Sequence, residues 1–295
     1  MYKLVIIGTI AAFAAAQRHP INPDIVEEIK AKADSWTAHE ATQNPLKNLS
    51  VHEIQGLLGT VVQGPIGLPA PQSYNGVLPT AFDAREKWGS CVHPIRDQAK
   101  CGSCWAFGAS ETLSDRFCIA SKGAIDVILS PEDLVSCDWW DRGCNGGILS
   151  WAWSYLTKTG AVADSCFPYS STEGTVPKCP TTCADASPFK KYKCTSGSVV
   201  EASGVDKIKD ELFQNGPLET GFTVYEDFMN YQSGVYKHTT GSQLGGHAVK
   251  IVGWGEGYWI CANSWGTSWG ESGFFNIAWG ECGIDSATYG CAPQL

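Results

Sequence analysis

None of the thirteen cysteines falls within the first 77 of the 295 residues. Any disulfide framework is therefore confined to residues 78–295, and composition alone separates a leader from a cysteine-rich body. Long apolar runs are missing too. The one substantial stretch, residues 4–14, is too short to span a bilayer. With Lys3 near its start and Ala14, Ala15 and Ala16 at its end, residues 1–16 read as a secretory signal peptide cleaved before Gln17. Basic clusters are lacking as well: after residue 77 there are 16 lysines and arginines against 24 aspartates and glutamates. So acidic a surface is a poor match for nucleic acid or anionic membrane, and neither is expected as a partner. No internal repeat, heptad or low-complexity tract occurs. The glycine-rich stretch around Trp254 opens no helix, which removes a dinucleotide or phosphate loop.

What is present points to an oxidising compartment, and the odd cysteine count leaves at least one thiol unpaired. In residues 17–77, Ile25 and Ile29, then Val51, Ile54, Leu57 and Leu58, recur at helical steps before a linker rich in glycine and proline (residues 64–71). This segment reads as a removable or docking piece; the alternative is a small helical subdomain retained for life. The sequon Asn48-Leu49-Ser50 lies within it.

The body, residues 78–295, divides into a helical half and a β half, an α+β composition. Helices are expected from Cys104, from Pro131 with Ser130 as N-cap, around residues 151–156, and over residues 205–213. The stretch between Cys166 and Cys194 is loop-like. Strands are expected over residues 218–224, 248–254, 258–262 and 273–279.

The chemistry centres on residues 98–107, QAKCGSCWAF. Ala106, Ala109, Leu113 and Phe117 form the apolar stripe of a buried helix, with Cys104 in its first turn and Ser103 as its N-cap. Unpaired N–H groups and the positive end of the helix dipole favour a thiolate there and lower its pKa. On its own, Cys101-Gly102-Ser103-Cys104 is also the spacing of a redox dithiol or half a zinc site. A thiol nucleophile further needs a base and a group to orient that base. After the leader the histidines are His93, His238 and His247; His247 stands in Gly-Gly-His-Ala-Val at the mouth of a strand, roughly 140 residues beyond Cys104. Asn263 follows the next strand, so adjacent strands can bring the two side by side, with Trp265 shielding their bond. An isolated asparagine at such a place is otherwise a turn former.

Taken together, residues 97–107 (DQAKCGSCWAF), 144–147 (CNGG), 245–248 (GGHA), 254–255 (WG) and 263–266 (NSWG) resemble the papain family of cysteine proteases and, within it, the cathepsin B group. Residues 78–85, 234–236 and 273–275 add to the likeness, as does the short leader with Trp36 and residues 54–58, so it covers nearly the whole chain. The resemblance implies a papain-like two-domain fold, helical left and β-barrel-like right, with an active cleft between them. It implies an inhibitory propeptide over residues 17–77 and a peptidase domain over residues 78–295. Cys104 would be the nucleophile, His247 the base and later the acid, Asn263 the orienting group and Gln98 an oxyanion donor. Gly146 and Gly147 would hold an extended substrate, Trp265 and Trp269 would line the primed side, and Ala287 would stand at the floor of the S2 pocket. It also implies the bridges Cys91–Cys118, Cys101–Cys144, Cys137–Cys179 and Cys166–Cys183. Cys194 and Cys291 are candidates for another pair, and Cys261 and Cys282 for buried thiols. No metal or cofactor is implied. Expected partners are protein and peptide substrates, the chain's own propeptide and cystatin-like inhibitors; the expected state is a monomer in the secretory pathway, in an acidic vesicle such as the lysosome, or secreted.

Two departures from the cathepsin B pattern carry expectations. Between Cys166 and Cys179 the chain has no histidine, so the occluding loop that gives cathepsin B its dipeptide-removing activity is short and lacks its carboxylate-binding pair. An endopeptidase with little exopeptidase activity is expected. Ala287 stands where cathepsin B carries a glutamate, so arginine at P2 lacks a partner and bulky apolar residues are favoured. The rival readings are a catalytically silent binding or matrix protein, a disulfide-rich adhesion module, and a zinc or redox protein. The leader carries few carboxylates, so acid release is expected to draw on titrating groups of the body.

Overall fold

In the computed structural model residues 18–295 are described; the signal-peptide expectation, residues 1–16, falls outside them. The chain before residue 78 forms helix α1 (Pro23–Lys32), strand β1 (Trp36–Ala38) and helix α2 (Val51–Gly56). Asn22 caps α1 by accepting from Ile25 N–H, with Pro23 at the start where its missing donor costs nothing. Ser50 and Glu53 form a capping box at α2, each side chain taking the other residue's backbone N–H. The apolar faces of both helices, including Ile25, Ile29, Ile54 and Leu57, are buried in the same core as the β half of the body.

The body opens with β2 (Phe82–Asp83) and α3 (Ala84–Trp88) and continues into the long helix α4 (Cys104–Ala120), then α5 (Pro131–Cys137) and α6 (Leu149–Lys158). The expected Ser130 cap is present, accepting from Asp133 N–H. Helix α4 is buried along most of its length, with Trp105, Ala109, Leu113 and Phe117 packed against Leu134, Trp153 and Leu156. Beyond a loop tethered by bridges come β3 (Val200–Ala202), α7 (Val205–Asn215), β4 (Leu218–Tyr225), β5 (Tyr231–Tyr236), β6 (Gln243–Gly255), β7 (Tyr258–Ala262), β8 (Phe274–Ala278) and β9 (Thr288–Gly290). The described strands form one sheet in the order β1-β5-β8-β7-β6-β4-β9-β3, with β2 also on β6. Only the β5–β8 pairing is parallel. The strand at one edge of this order, β1, is donated by the N-terminal segment: Trp36 lies opposite Gly234, its indole N–H donating to Lys237 O at 3.0 Å.

The helical and β halves are joined by buried charge. Lys250 of β6 reaches Asp115 of α4 at 2.7 Å and Glu111 at 3.8 Å. Arg116 is buried between the halves, donating to Glu211 at 2.9 Å and to the carbonyls of Pro217 and Cys291 at 2.7 and 3.1 Å. Removing one partner of such a pair strands an uncompensated buried charge. Five disulfides are formed, Cys91–Cys118, Cys101–Cys144, Cys137–Cys179, Cys166–Cys183 and Cys194–Cys291. Cys104, Cys261 and Cys282 are free, the first two buried and Cys282 half-buried.

Candidate active site

Cys104 is the first residue of α4, at the base of the seam between the two halves. Ser103 precedes it but does not cap the helix as expected; its hydroxyl is within 2.8 Å of the Tyr169 hydroxyl instead. Tyr169 in turn donates to Gln98 O at 2.8 Å, so the serine ties the Gln98 loop to the helix start. The expected fall in the thiol pKa is reversed in this state. Burial pushes Cys104 up, and the Thr60 hydroxyl and backbone groups of Ala248, Gly59 and Trp105, which favour the thiolate, do not compensate.

His247 lies well inside β6, opposite Phe222 of β4, and not at a strand mouth. The β6–β7 register sets Lys250 opposite Ala262, which carries the turn after β7 across to His247. There Nε2 of His247 donates to Asn263 Oδ1 at 2.7 Å, and Ser264 N–H donates to the same oxygen at 2.8 Å. That bond places the ring proton on Nε2 and leaves Nδ1, which makes no hydrogen bond, as the basic nitrogen. Trp265 covers the ring at 4.5 Å between centroids. Burial pulls His247 down to about 4, against Asn263 and the Leu57 backbone, which favour the charged ring.

Gln98 is fully buried, its Oε1 accepting from Ser264 Oγ at 2.7 Å. This orients the amide so that Nε2 donates to Cys101 O at 2.8 Å and to Leu57 O at 3.0 Å. The Leu57 carbonyl thus sits where Gln98 offers a donor beside Cys104. From there the N-terminal segment runs through the seam between two glycine pairs. Thr60 N–H donates to Gly246 O and Val61 N–H to Gly147 O, both at 3.0 Å, while Gly147 N–H donates to Gly59 O at 2.8 Å. Thr60 Oγ1 lies 3.1 Å from Cys104 Sγ. The passage is narrow enough to require glycine on both sides: a Cβ on Gly147 would meet the Trp105 ring at 2.5 Å, one on Gly146, at φ +105°, would meet Gly59 O at the same distance, and one on Gly59 would enter the Gly102 carbonyl.

Ala287 is buried and faces a small pocket lined by Leu149, Gly221 and Tyr289 and covered by Val61, Val62 and Gln63. No acidic side chain is among its lining residues. On the other side of Cys104, Trp265 and Ser268 line a groove of about 250 Å³ with Leu46, Leu49 and Leu57 of the N-terminal segment. Trp269 does not line it. It is wholly buried behind Trp265, held in the core of the β half by Tyr231, Phe228 and Phe275. Thr60, Leu57, Ser264 and Tyr169 were not expected at the site from sequence, Leu57 being read only as part of a helical stripe. Ser264 was within reach, adjoining Asn263 in the NSWG block; Thr60 and Leu57 belong to a segment whose spacing reports helix, not docking in the seam.

A buried thiol at a helix start, an imidazole held by an asparagine, and an amide offered beside the thiol are the parts of a thiol hydrolase. Residues 78–291 match the papain family cysteine protease domain, and the chain belongs to that family. Within it, the relatives are cathepsin B-like. The chain is 38% identical to cathepsin B-like cysteine proteinase 4 of Caenorhabditis elegans, over 99% of this chain and 100% of that one. It is 44% identical to cathepsin B-like cysteine proteinase 5 of the same organism over 74% and 75%. The structure of procathepsin B S9 from Trypanosoma congolense superposes with a TM-score of 0.87 at 33% identity, covering 94% of this chain and 100% of that one. Digestive procathepsin L2 from Tenebrio molitor follows with a TM-score of 0.72 at 26% identity, covering 92% and 89%. The chain is a cysteine protease of papain-like fold, and both structural neighbours are proforms.

Proposed function

We propose that the chain is the zymogen of an endopeptidase, with residues 1–16 a signal peptide, residues 17–77 an inhibitory propeptide and residues 78–295 the peptidase. The observation that carries this is the segment of residues 57–61, which lies over Cys104 and occupies the hydrogen-bonding groups of Gln98, Gly147 and Gly246 that a substrate needs.

Once this segment has left, the Cys104 thiol gives its proton to Nδ1 of His247 and attacks the scissile carbonyl. Gln98 Nε2 and the Cys104 backbone N–H hold the oxyanion. The imidazolium then protonates the leaving amine, which departs as the carbonyl re-forms to give the thioester. Water, deprotonated by the neutral imidazole, hydrolyses the thioester and regenerates the thiol. Asn263 keeps the ring in the Nε2–H tautomer throughout. Opening the seam returns water to the thiol and the imidazole, so the helix start regains its influence on Cys104.

The pocket at Ala287, with no acidic side chain to pair a guanidinium, supports a preference for bulky apolar P2 residues. The alignment with the first Caenorhabditis elegans relative runs over 340 positions against 295 residues here, so that relative carries segments this chain lacks. This accords with the short, histidine-free stretch after Cys166 and with weak removal of C-terminal dipeptides. The acidic body and the secretory leader suit an acidic vesicle or secretion.

The test is turnover of the fluorogenic peptides Z-Phe-Arg and Z-Arg-Arg by acid-processed protein. Cleavage of the first alone, abolished by a thiol-directed epoxide and by Cys104→Ala, is expected. Equal cleavage of both would overturn the pocket assignment. No cleavage by protein whose leader is gone and whose Cys104 is free would favour a silent binding protein.

A further inference from the structure

Three tryptophans lie exposed on one face of the helical half: Trp139, Trp140 and Trp151 keep 77, 57 and 42% of their surface in water. Trp139 and Trp140 stack at 4.4 Å, and Trp151 meets Trp140 edge-on at 6.2 Å. Between Trp140 and Trp151 runs a groove of about 220 Å³ completed by Ser154 and Lys158. Three large aromatic rings left in contiguous exposure mark an interaction surface.

We propose that this platform extends the substrate cleft and binds the unprimed stretch of a polypeptide substrate, beyond P2, through its apolar and aromatic side chains. The proposal rests on the protease reading above. Its support is continuity. Helix α6 begins at the pocket itself, where Leu149 and Ser150 lie beside Val61–Gln63, and the next residue is Trp151. Trp151, Ser154 and Lys158 recur at steps of three and four, so they form one outward ridge. That ridge is about 10 Å long, the span of roughly three extended residues.

The other half of the platform is fixed to the same backbone that holds substrate. Trp140 N–H donates to Asp138 at 3.2 Å, and Asp141 accepts from Ile148 N–H at 2.8 Å, which closes the loop over Gly146 and Gly147. The bridges Cys137–Cys179 and Cys101–Cys144 hold it at both ends. The propeptide leaves the platform open, since after Gln63 it turns away to Glu201, which accepts from the N–H groups of Ile66, Gly67 and Leu68. Exposed Arg142 and Lys158 add positive charge to an otherwise acidic body, so a carboxylate in this part of the substrate is favoured.

The experiment compares two substrates sharing one scissile bond, Z-Phe-Arg and a ten-residue peptide extended on the unprimed side with tyrosine, leucine and aspartate. The acid-processed parent is set against Trp140→Ala/Trp151→Ala. The double variant is expected to lose about tenfold in kcat/KM on the long peptide, mostly through KM, and nothing on the short one, with Trp140→Phe/Trp151→Phe restoring most of it. Equal turnover of the long peptide by parent and variant overturns the proposal, as does an equal loss on both substrates. A parent that cleaves neither peptide refutes the protease reading beneath it, a different result from either.

Discussion

At Cys104 two effects of the protein oppose each other. The start of α4 favours the thiolate, and burial beneath Thr60 favours the thiol and prevails in the proform. Alkylation of Cys104 by iodoacetamide near pH 6 is therefore expected to be at least tenfold slower in the proform than after processing, as followed by mass spectrometry; equal rates would contradict the account. At the pocket floor, Ala287→Glu supplies the carboxylate that a P2 guanidinium needs, and should raise the ratio of Z-Arg-Arg to Z-Phe-Arg turnover by about tenfold. An unchanged ratio would place the P2 side chain elsewhere. The places of Cys104, in a helix-starting block, and of Asn263, just after a strand, were legible in the sequence, whereas His247 was legible only as far as its strand, since it lies well inside β6 and not at the mouth. Trp269 was not, because a motif reports neighbours along the chain and cannot say which of two tryptophans a turn directs inward.

Among the elements, the segment after α2 is the one that periodicity describes least, since it stops short of the turn into the seam. The helical step from Ile54 carries through Leu57, whose backbone stays helical with its N–H on Glu53 O and Ile54 O, and the chain leaves the turn only at Gly59, where Gly59 and the nearby Gly102, Gly146 and Gly246 allow backbone to lie on backbone. Gly59→Val should dislodge the segment and speed acid processing by about tenfold or more, read by gel; an unchanged rate would mean that the contact does not hold the leader. The linker's anchor on Glu201 was equally hidden, since one glutamate collecting three successive N–H groups has no sequence signature. The loop between α5 and α6 carries a pH dependence of its own. Burial pushes Asp141 up to about 7, with nearby Asp138 reinforcing the shift and Arg142 opposing it, while buried Glu219 of β4 faces the same region. A carboxyl raised in the folded state contributes stability that is complete below its unfolded pKa and is lost as pH rises through the folded value. Thermal stability of the processed enzyme should fall between pH 4 and pH 7, less steeply in Asp141→Asn; an identical slope would assign the dependence to other groups.

For the molecule as a whole, the leader is not a separate subdomain resting on the body. It shares the core of the β half, adds β1 to the sheet edge and fills the cleft. The division into a helical and a β half was legible from the change in periodicity near residue 217. The way the leader threads between the halves was not, since it depends on contacts with Gln98, Cys104, Gly147 and Gly246, which are remote in sequence from residues 57–61. On the zymogen proposal, this arrangement offers a route to acid release that the leader's own few carboxylates do not. His247 is pulled down to about 4 while the leader covers it, below the ordinary histidine value of about 6.5. A group lowered in the docked state favours docking above its ordinary pKa and loses that contribution as pH falls toward the docked value, so leader affinity should weaken between about pH 6.5 and pH 4. On this proposal the chain's own leader silences a competent cysteine protease. The most direct measurement follows Z-Phe-Arg turnover in one sample of the full chain as it is brought from neutral to acid pH, with the leader monitored by gel. No turnover by the intact chain and a rise that tracks leader loss are expected; full turnover by the intact chain, or none after the leader is gone while Cys104 is still free, would overturn the zymogen reading.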